Sequence, residues 1–198
     1  MARTQALDYD KRREAIMKTA AELYAARGFL GTSVAQIAEA CQTSKSLLYH
    51  YYPSKEDILF DVMDSHVESL VEAAQAVMAQ PLRAEDKVRH LAARLMDMYV
   101  DAQAHQKVLL NELVNLPEAR RQIIIDHQKS LLDTVDRLVA EIRPQLSGKR
   151  PQRRATVMLF FGMLNWTHTW YDPAGPVSPP EFASLAAETF LSGLTAAN

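Results

Sequence analysis

The sequence predicts an all-α protein: a small three-helix helix-turn-helix domain at the front and a larger helical domain behind it, about nine helices in total. Three observations carry this. Apolar residues recur at spacings of three and four, no stretch alternates β-branched and polar residues, and Gly- and Pro-rich breaks punctuate the chain.

The first helix is expected over Asp10–Arg27, with Ile16, Ala20, Leu23 and Tyr24 on one stripe and Gly28 as its stop signal. Thr32 is placed to cap a second helix in which Val34, Ile37, Ala38 and Cys41 share a face. Ser44 caps a third, short helix from Lys45 to about Tyr51, which Pro53 ends by disfavouring helix in the residue before it. Ser54 with Asp57 three residues on resembles a capping box and opens a fourth helix reaching Met78. Further helices are expected over Glu85–Ala104, His105–Asn115, Glu118–Arg143, Arg153–Tyr171 and Glu181–Leu194. Pro144–Gln152 and Asp172–Pro180 read as loops. The division expected is residues 1–56 and residues 57–198.

Composition narrows the class. With 48% hydrophobic and 23% charged residues there is enough apolar material for a packed core. No apolar run reaches the roughly 18–20 residues that span a bilayer, and the polar start MARTQALDYDKRREAI lacks a signal peptide's apolar stretch. A cytoplasmic location without membrane partners is therefore expected, and the single Cys41 excludes an internal disulfide. Net charge is −2, which does not advertise nucleic-acid binding. Residues 1–60 hold eight Lys/Arg against seven Asp/Glu, and the remainder 14 against 17, so any such case rests on where the charges stand.

Their placement in the third helix is informative. Two short helices separated by CQTS have the layout of a helix-turn-helix, whose second helix enters the major groove. Leu48 and Tyr52, four apart, face inward and leave Lys45, Ser46, Leu47, Tyr49 and His50 outward. No acid falls between Cys41 and Lys55, so this face does not repel phosphate. Tyr49, His50, Tyr51 and Tyr52 are consecutive, and four ring residues in a row cannot all enter a core, although an ordinary helical bundle accommodates some of them.

The segment Thr32–Glu56, TSVAQIAEACQTSKSLLYHYYPSKE, resembles the signature of TetR-family regulators: Thr-x-x-x-Ile-Ala, a turn, Ser-Lys, then Leu-Tyr-x-Tyr-aromatic and a Lys-Glu pair. The resemblance is strong over residues 12–59 and extends to the rest in length and helical plan. It implies double-stranded operator DNA as partner, with contacts from Lys45, Tyr49, His50, Tyr51 and Lys55, often joined by Ser33 and Leu47; Thr32 and Ser44 at the helix starts and the outward Ser46 complete the candidate set. Two departures stand out. Gln42 occupies a turn position that usually carries Gly, which implies an altered turn geometry, and Ser46-Leu47 replaces a usual Gly/Pro-Thr, which implies a different base preference, with Leu47 suited to a thymine methyl.

Behind the reader, ATVMLFFGMLNW is apolar on every side, which suits either a buried central helix or a surface covered by a second copy. The resemblance implies a homodimer through the last two helices, with Met158, Phe161, Trp166, Leu185, Phe190 and Leu194 as interface candidates. It also implies a small-molecule effector. Candidate pocket residues are Met63, Val67, Met96, Tyr99, Leu113, Phe161, Asn165, His168 and Thr169, each of which also fits plain core. The string GMLNWTHTWYDPAGPVSPPEF resembles the subgroup answering to acyl-CoA thioesters, for which Arg120, Arg121, Lys149, Arg150, Arg153 and Arg154 are candidate partners of the phosphates. On this reading the chain is a ligand-released repressor on a palindromic operator, and its effector moves the fourth helix, which joins reader to pocket. A regulator of an efflux pump answering to lipophilic drugs is the alternative.

No catalytic residues, metal ligands or cofactor are expected. The six histidines form no H-x-x-x-H pair, Asp64 and His66 diverge on a helix, and neither a phosphate-cradling glycine loop nor a nucleophile elbow occurs. An enzyme whose site assembles only in three dimensions, and a helical adaptor without DNA binding, remain the rival classes.

Overall fold

The computed structural model describes residues 2–196, with side chains described over 9–195. Met1, with which the polar N-terminal run begins, and residues 197–198 lie outside the described part. Among the described residues there are nine α-helices and no strand: α1 (Ala2–Arg27), α2 (Val34–Ala40), α3 (Lys45–Tyr51), α4 (Lys55–Met78), α5 (Ala84–Asp101), α6 (Gln103–Asn111), α7 (Glu118–Ile142), α8 (Arg150–Asn165) and α9 (Pro179–Ala196). None is long and apolar enough to cross a membrane. The chain forms two compact units, Met1–Val67 with Ala104–Ile125, and Glu68–Gln103 with Asp126–Asn198. Packing thus gathers residues 104–125 with the front of the chain, whereas the division at residue 56 expected from sequence separates roles.

Several boundaries move, for identifiable reasons. α1 starts eight residues before Asp10, and α8 starts at Arg150 rather than Arg153 because Pro151 sits in its first turn, where a missing N–H costs nothing. Pro179 and Pro180 likewise open α9 instead of closing the loop before it. At the other end α8 stops at Asn165, and Trp166–Thr169 tightens into a 3₁₀ turn.

In the first unit, α1 ends where Gly28 adopts φ +76° and returns its N–H to Tyr24 O at 2.8 Å. The N-cap of α2 is Ser33, not Thr32. Ser33 Oγ accepts from Gln36 N and the Gln36 side chain accepts from Ser33 N, while the Thr32 hydroxyl is buried and donates to Gly28 O at 2.9 Å. After α2 the chain turns through Gln42 at φ +53°, with Thr43 N bonded to Ala38 O at 2.9 Å. Gln42 therefore takes up the left-handed turn conformation that glycine adopts without strain. Ser44 caps α3 by accepting from Leu47 N, and Ser54 caps α4 by accepting from Asp57 N.

The second unit is held by apolar stripes. Val88, Leu91, Ala92, Leu95, Met96 and Tyr99 line one face of α5, and Ala183, Ala186 and Ala187 let α9 pack closely against it. Phe160 of α8 is fully buried, edge-on to Phe161 and Phe190 with ring centroids 5.3 and 5.2 Å away.

Candidate nucleic-acid interface

A helix of seven residues has too few internal hydrogen bonds to stand alone. α3 is fixed instead by its cap, by the buried Leu48 and Tyr52, and by a polar clamp at its C-terminal end. There the Tyr52 hydroxyl donates to Asp61 Oδ2 of α4 at 2.8 Å and accepts from Arg13 Nε of α1 at 3.3 Å. Arg13 also pairs with Asp61. Burial pushes the Tyr52 phenol well above its ordinary range, and the Asp61 contact adds to this, so the hydroxyl keeps its proton and remains a donor. One clamp thus joins three helices. With Leu48 and Tyr52 inward, Lys45, Ser46, Leu47, Tyr49 and His50 are exposed and Tyr51 is half-buried.

The remaining DNA-contact candidates take other positions. Lys55 Nζ donates to Phe29 O at 2.8 Å and to Thr32 O at 2.9 Å, and lies 4.0 Å from the centre of the Phe29 ring. It ties the start of α4 to the segment entering α2, with one of its three N–H donors beyond those two bonds. Ser33 and Ser44 are exposed and spend their hydroxyl oxygens on caps, while the Thr32 side chain is buried. Sequence reasoning missed Arg13, Asp61 and the Arg120–Asp57 ion pair, in which Arg120 also lies over the Phe60 ring at 5.2 Å. No local spacing signals any of these contacts.

The effector and dimer candidates divide as well. Met63 and Val67 are buried in the first unit, where Leu113 is half-buried in a 3₁₀ turn. Met96, Tyr99 and Phe161 are buried in the second, Asn165 and His168 are half-buried, and Thr169 is exposed. His168 Nδ1 bonds Asn165 O at 2.7 Å and Thr169 Oγ1 donates to Trp166 O at 2.8 Å, so both are satisfied within the turn that carries them. A cleft of about 770 Å³ opens in the second unit between α4 and α5, lined among others by Ser69, Glu72, His90, Arg94 and Asp97, and by none of the expected residues. Of the dimer candidates, Met158, Trp166 and Leu185 are 50%, 65% and 63% exposed, joined by Leu159 at 67%. Phe161, Phe190 and Leu194 face inward, because the stripe that packs α8 on α9 uses them. Among the basic candidates, Arg120 pairs with Asp57, Arg121 with Glu118 and Arg153 with Asp136, whereas Lys149, Arg150 and Arg154 are exposed around the start of α8.

Comparison with known proteins accords with this geometry. Residues 16–62 match the bacterial regulatory proteins of the tetR family, and residues 81–194 match the tetracyclin repressor-like C-terminal domain. A TetR-family transcriptional regulator from Bordetella parapertussis is 36% identical, with a TM-score of 0.88 over 90% of this chain and 93% of that one. AibR, solved in complex with isovaleryl coenzyme A and operator DNA, is 24% identical and shares the fold with a TM-score of 0.78 over 90% and 97% of the two chains. The transcriptional activator FasR of Mycolicibacterium smegmatis is 25% identical over 59% of this chain, a match spanning only 54% of FasR. An exposed, acid-free reading helix within matching N- and C-terminal domains leads to one assignment: the chain belongs to the TetR family of DNA-binding helix-turn-helix transcriptional regulators.

Proposed function

We propose that this regulator is a homodimeric repressor that grips a palindromic operator through residues 1–56 and releases it when an acyl-CoA thioester binds within residues 57–198. The observation that carries the reading is the outward face of α3, where Lys45, Ser46, Leu47, Tyr49 and His50 are exposed over a helix clamped at both ends. Lys45, Tyr49, His50 and Tyr51 supply donors to phosphate oxygens, and Ser46 and Leu47 reach base edges. Lys55 offers its third N–H to a phosphate while holding the helix ends together.

One such reader contacts few base pairs, so specific affinity calls for two, about one helical turn apart. The exposed apolar side chains of Met158, Leu159, Trp166 and Leu185 support pairing of α8 and α9 with a second copy. For the effector, support comes from the likeness to AibR, whose complex holds isovaleryl coenzyme A. Lys149, Arg150 and Arg154 are the exposed cations proposed to meet coenzyme A phosphates. Release requires only that the effector prefer a conformation in which the two α3 helices no longer match the half-sites, a coupling of about 1–3 kcal/mol.

A mobility-shift titration with DNA from upstream of the chain's own coding sequence tests this reading. A salt-sensitive shift that isovaleryl-CoA reverses and free coenzyme A does not is the expected result. Absence of any sequence-specific shift overturns the DNA reading. Release by a lipophilic drug but not by acyl-CoA esters overturns the effector class alone.

A further inference from the structure

No residue at the front of α1 has so far been given a DNA contact, yet this part of the helix is built against the outer end of α3. The Tyr9 ring stacks on Tyr51 with centroids 4.7 Å apart and meets His50 edge-on at 6.4 Å. His50 and Tyr51 are themselves edge-to-face at 5.5 Å. One turn along, Arg12 helps line a cavity of about 70 Å³ whose wall on the α3 side includes Leu47, Leu48 and Tyr51. Residues 9, 12, 13 and 16 share one helical face. Ile16 of that face is core and Arg13 is held in the Tyr52–Asp61 clamp, so Tyr9 and Arg12 carry the face outward beside α3. Asp10 and Glu14 fall to its flank.

None of Tyr9, His50 and Tyr51 is buried, so this ring cluster serves no core. It stands at the end of a face without acids, beside Arg12, whose planar five-donor guanidinium is the group best suited to a backbone phosphate. We propose that Tyr9 and Arg12 extend the DNA interface. Arg12 pairs with a backbone phosphate flanking the bases read by α3, and Tyr9 holds the His50 and Tyr51 rings toward the phosphates while its own hydroxyl donates to the same strand. The occupant is the sugar–phosphate backbone, so this surface adds affinity and register rather than base choice. The inference rests on the operator-binding reading above.

The test uses the full-length chain and a duplex that this chain enriches from a random-sequence library, with affinity measured by fluorescence anisotropy across a salt series. Arg12→Gln should weaken binding about tenfold and flatten the salt dependence by about 0.9 in log–log slope, one phosphate's worth. Arg12→Lys should restore the slope, which a mere folding defect does not. Tyr9→Ala should cost a similar factor, and Tyr9→Phe, which keeps the ring stack, should recover most of it. Wild-type affinity and slope in both Arg12→Gln and Tyr9→Ala overturn the extension. Tyr49→Ala run in parallel separates the two levels: if it loses binding while those variants do not, only the extension falls, and if it too binds normally, the operator reading itself fails.

Discussion

Each of the two compact units has an apolar core, but they differ in how their helix ends and outer faces are finished. Around the reader, short helices are fixed by side chain–backbone and side chain–side chain polar bonds: Ser33 and Ser44 cap α2 and α3, Lys55 holds two carbonyls, and Arg13, Tyr52 and Asp61 close the far end. In the second unit, the 18-residue α5 and α9 rest on continuous apolar stripes, and Met158, Leu159, Trp166 and Leu185 are among the large apolar side chains left exposed. Directional bonds set an angle and position, as reading a groove requires. Apolar contact is non-directional and scales with area, which suits a packed core and the dimer surface proposed above.

That contrast can be broken at several points. The largest effect is expected for Phe160→Ala, which empties the centre of the second unit and should destabilise the protein by about 3–5 kcal/mol, read from urea unfolding. A loss below about 1 kcal/mol would show that the α8–α9 core does not carry that unit's stability. Next comes the double change Lys45→Ala with Tyr49→Ala. Both residues are exposed, so stability should be unchanged while operator affinity falls by about 3 kcal/mol, more than a hundredfold, in anisotropy titrations. Retained affinity would remove α3 from the interface.

A third test uses acid. His66 is buried on α4, with Nε2 donating to Gln106 Oε1 at 2.8 Å, and burial first, with His105 alongside, pushes it down from 6.5 to about 4. In the unfolded chain the imidazole takes a proton near pH 6.5, whereas in the folded chain it stays neutral until about pH 4. The unfolded state therefore binds more protons across that window, and stability drops as pH falls through it, by about 2–3 kcal/mol at pH 4.5. His105, also pushed down by burial, acts in the same direction. Urea midpoints between pH 7 and 4.5 should show the drop, and His66→Gln should flatten it. An unchanged slope in that variant would assign the acid sensitivity elsewhere. The smallest effect is expected at the turn, where Gln42→Gly should stabilise by up to about 1 kcal/mol by relieving φ +53°, seen as a modest rise in thermal midpoint. A fall would mean that the Gln42 side chain contributes more than its backbone costs.

Much of the reader was legible before any tertiary information. The Ser44 cap, the Gly28 stop, the break at Pro53 and the pair Leu48–Tyr52 place α3 and set which way it faces, since two inward residues four apart determine a short helix's rotation. The prolines misled: Pro151 and Pro179 read as loop residues but open helices, because a proline at a first helical turn and one in a loop look alike along the chain.

By itself, then, the sequence determined an all-helical chain, the caps that start its reading helix and the cationic and aromatic character of that helix's outer face, since these depend on neighbours within about four residues. Only the tertiary structure decided that Lys55 grips carbonyls, that Arg13 meets Tyr52 and Asp61 across 39 and 48 residues, and that Arg120 meets Asp57 across 63. It also decided that Phe161, Phe190 and Leu194 turn inward while Met158, Leu159 and Leu185 turn out. A helix apolar on every side carries no periodic signal of its orientation. What buries one flank and leaves another bare is the packing of α8 against α9, a relation between segments distant in the chain.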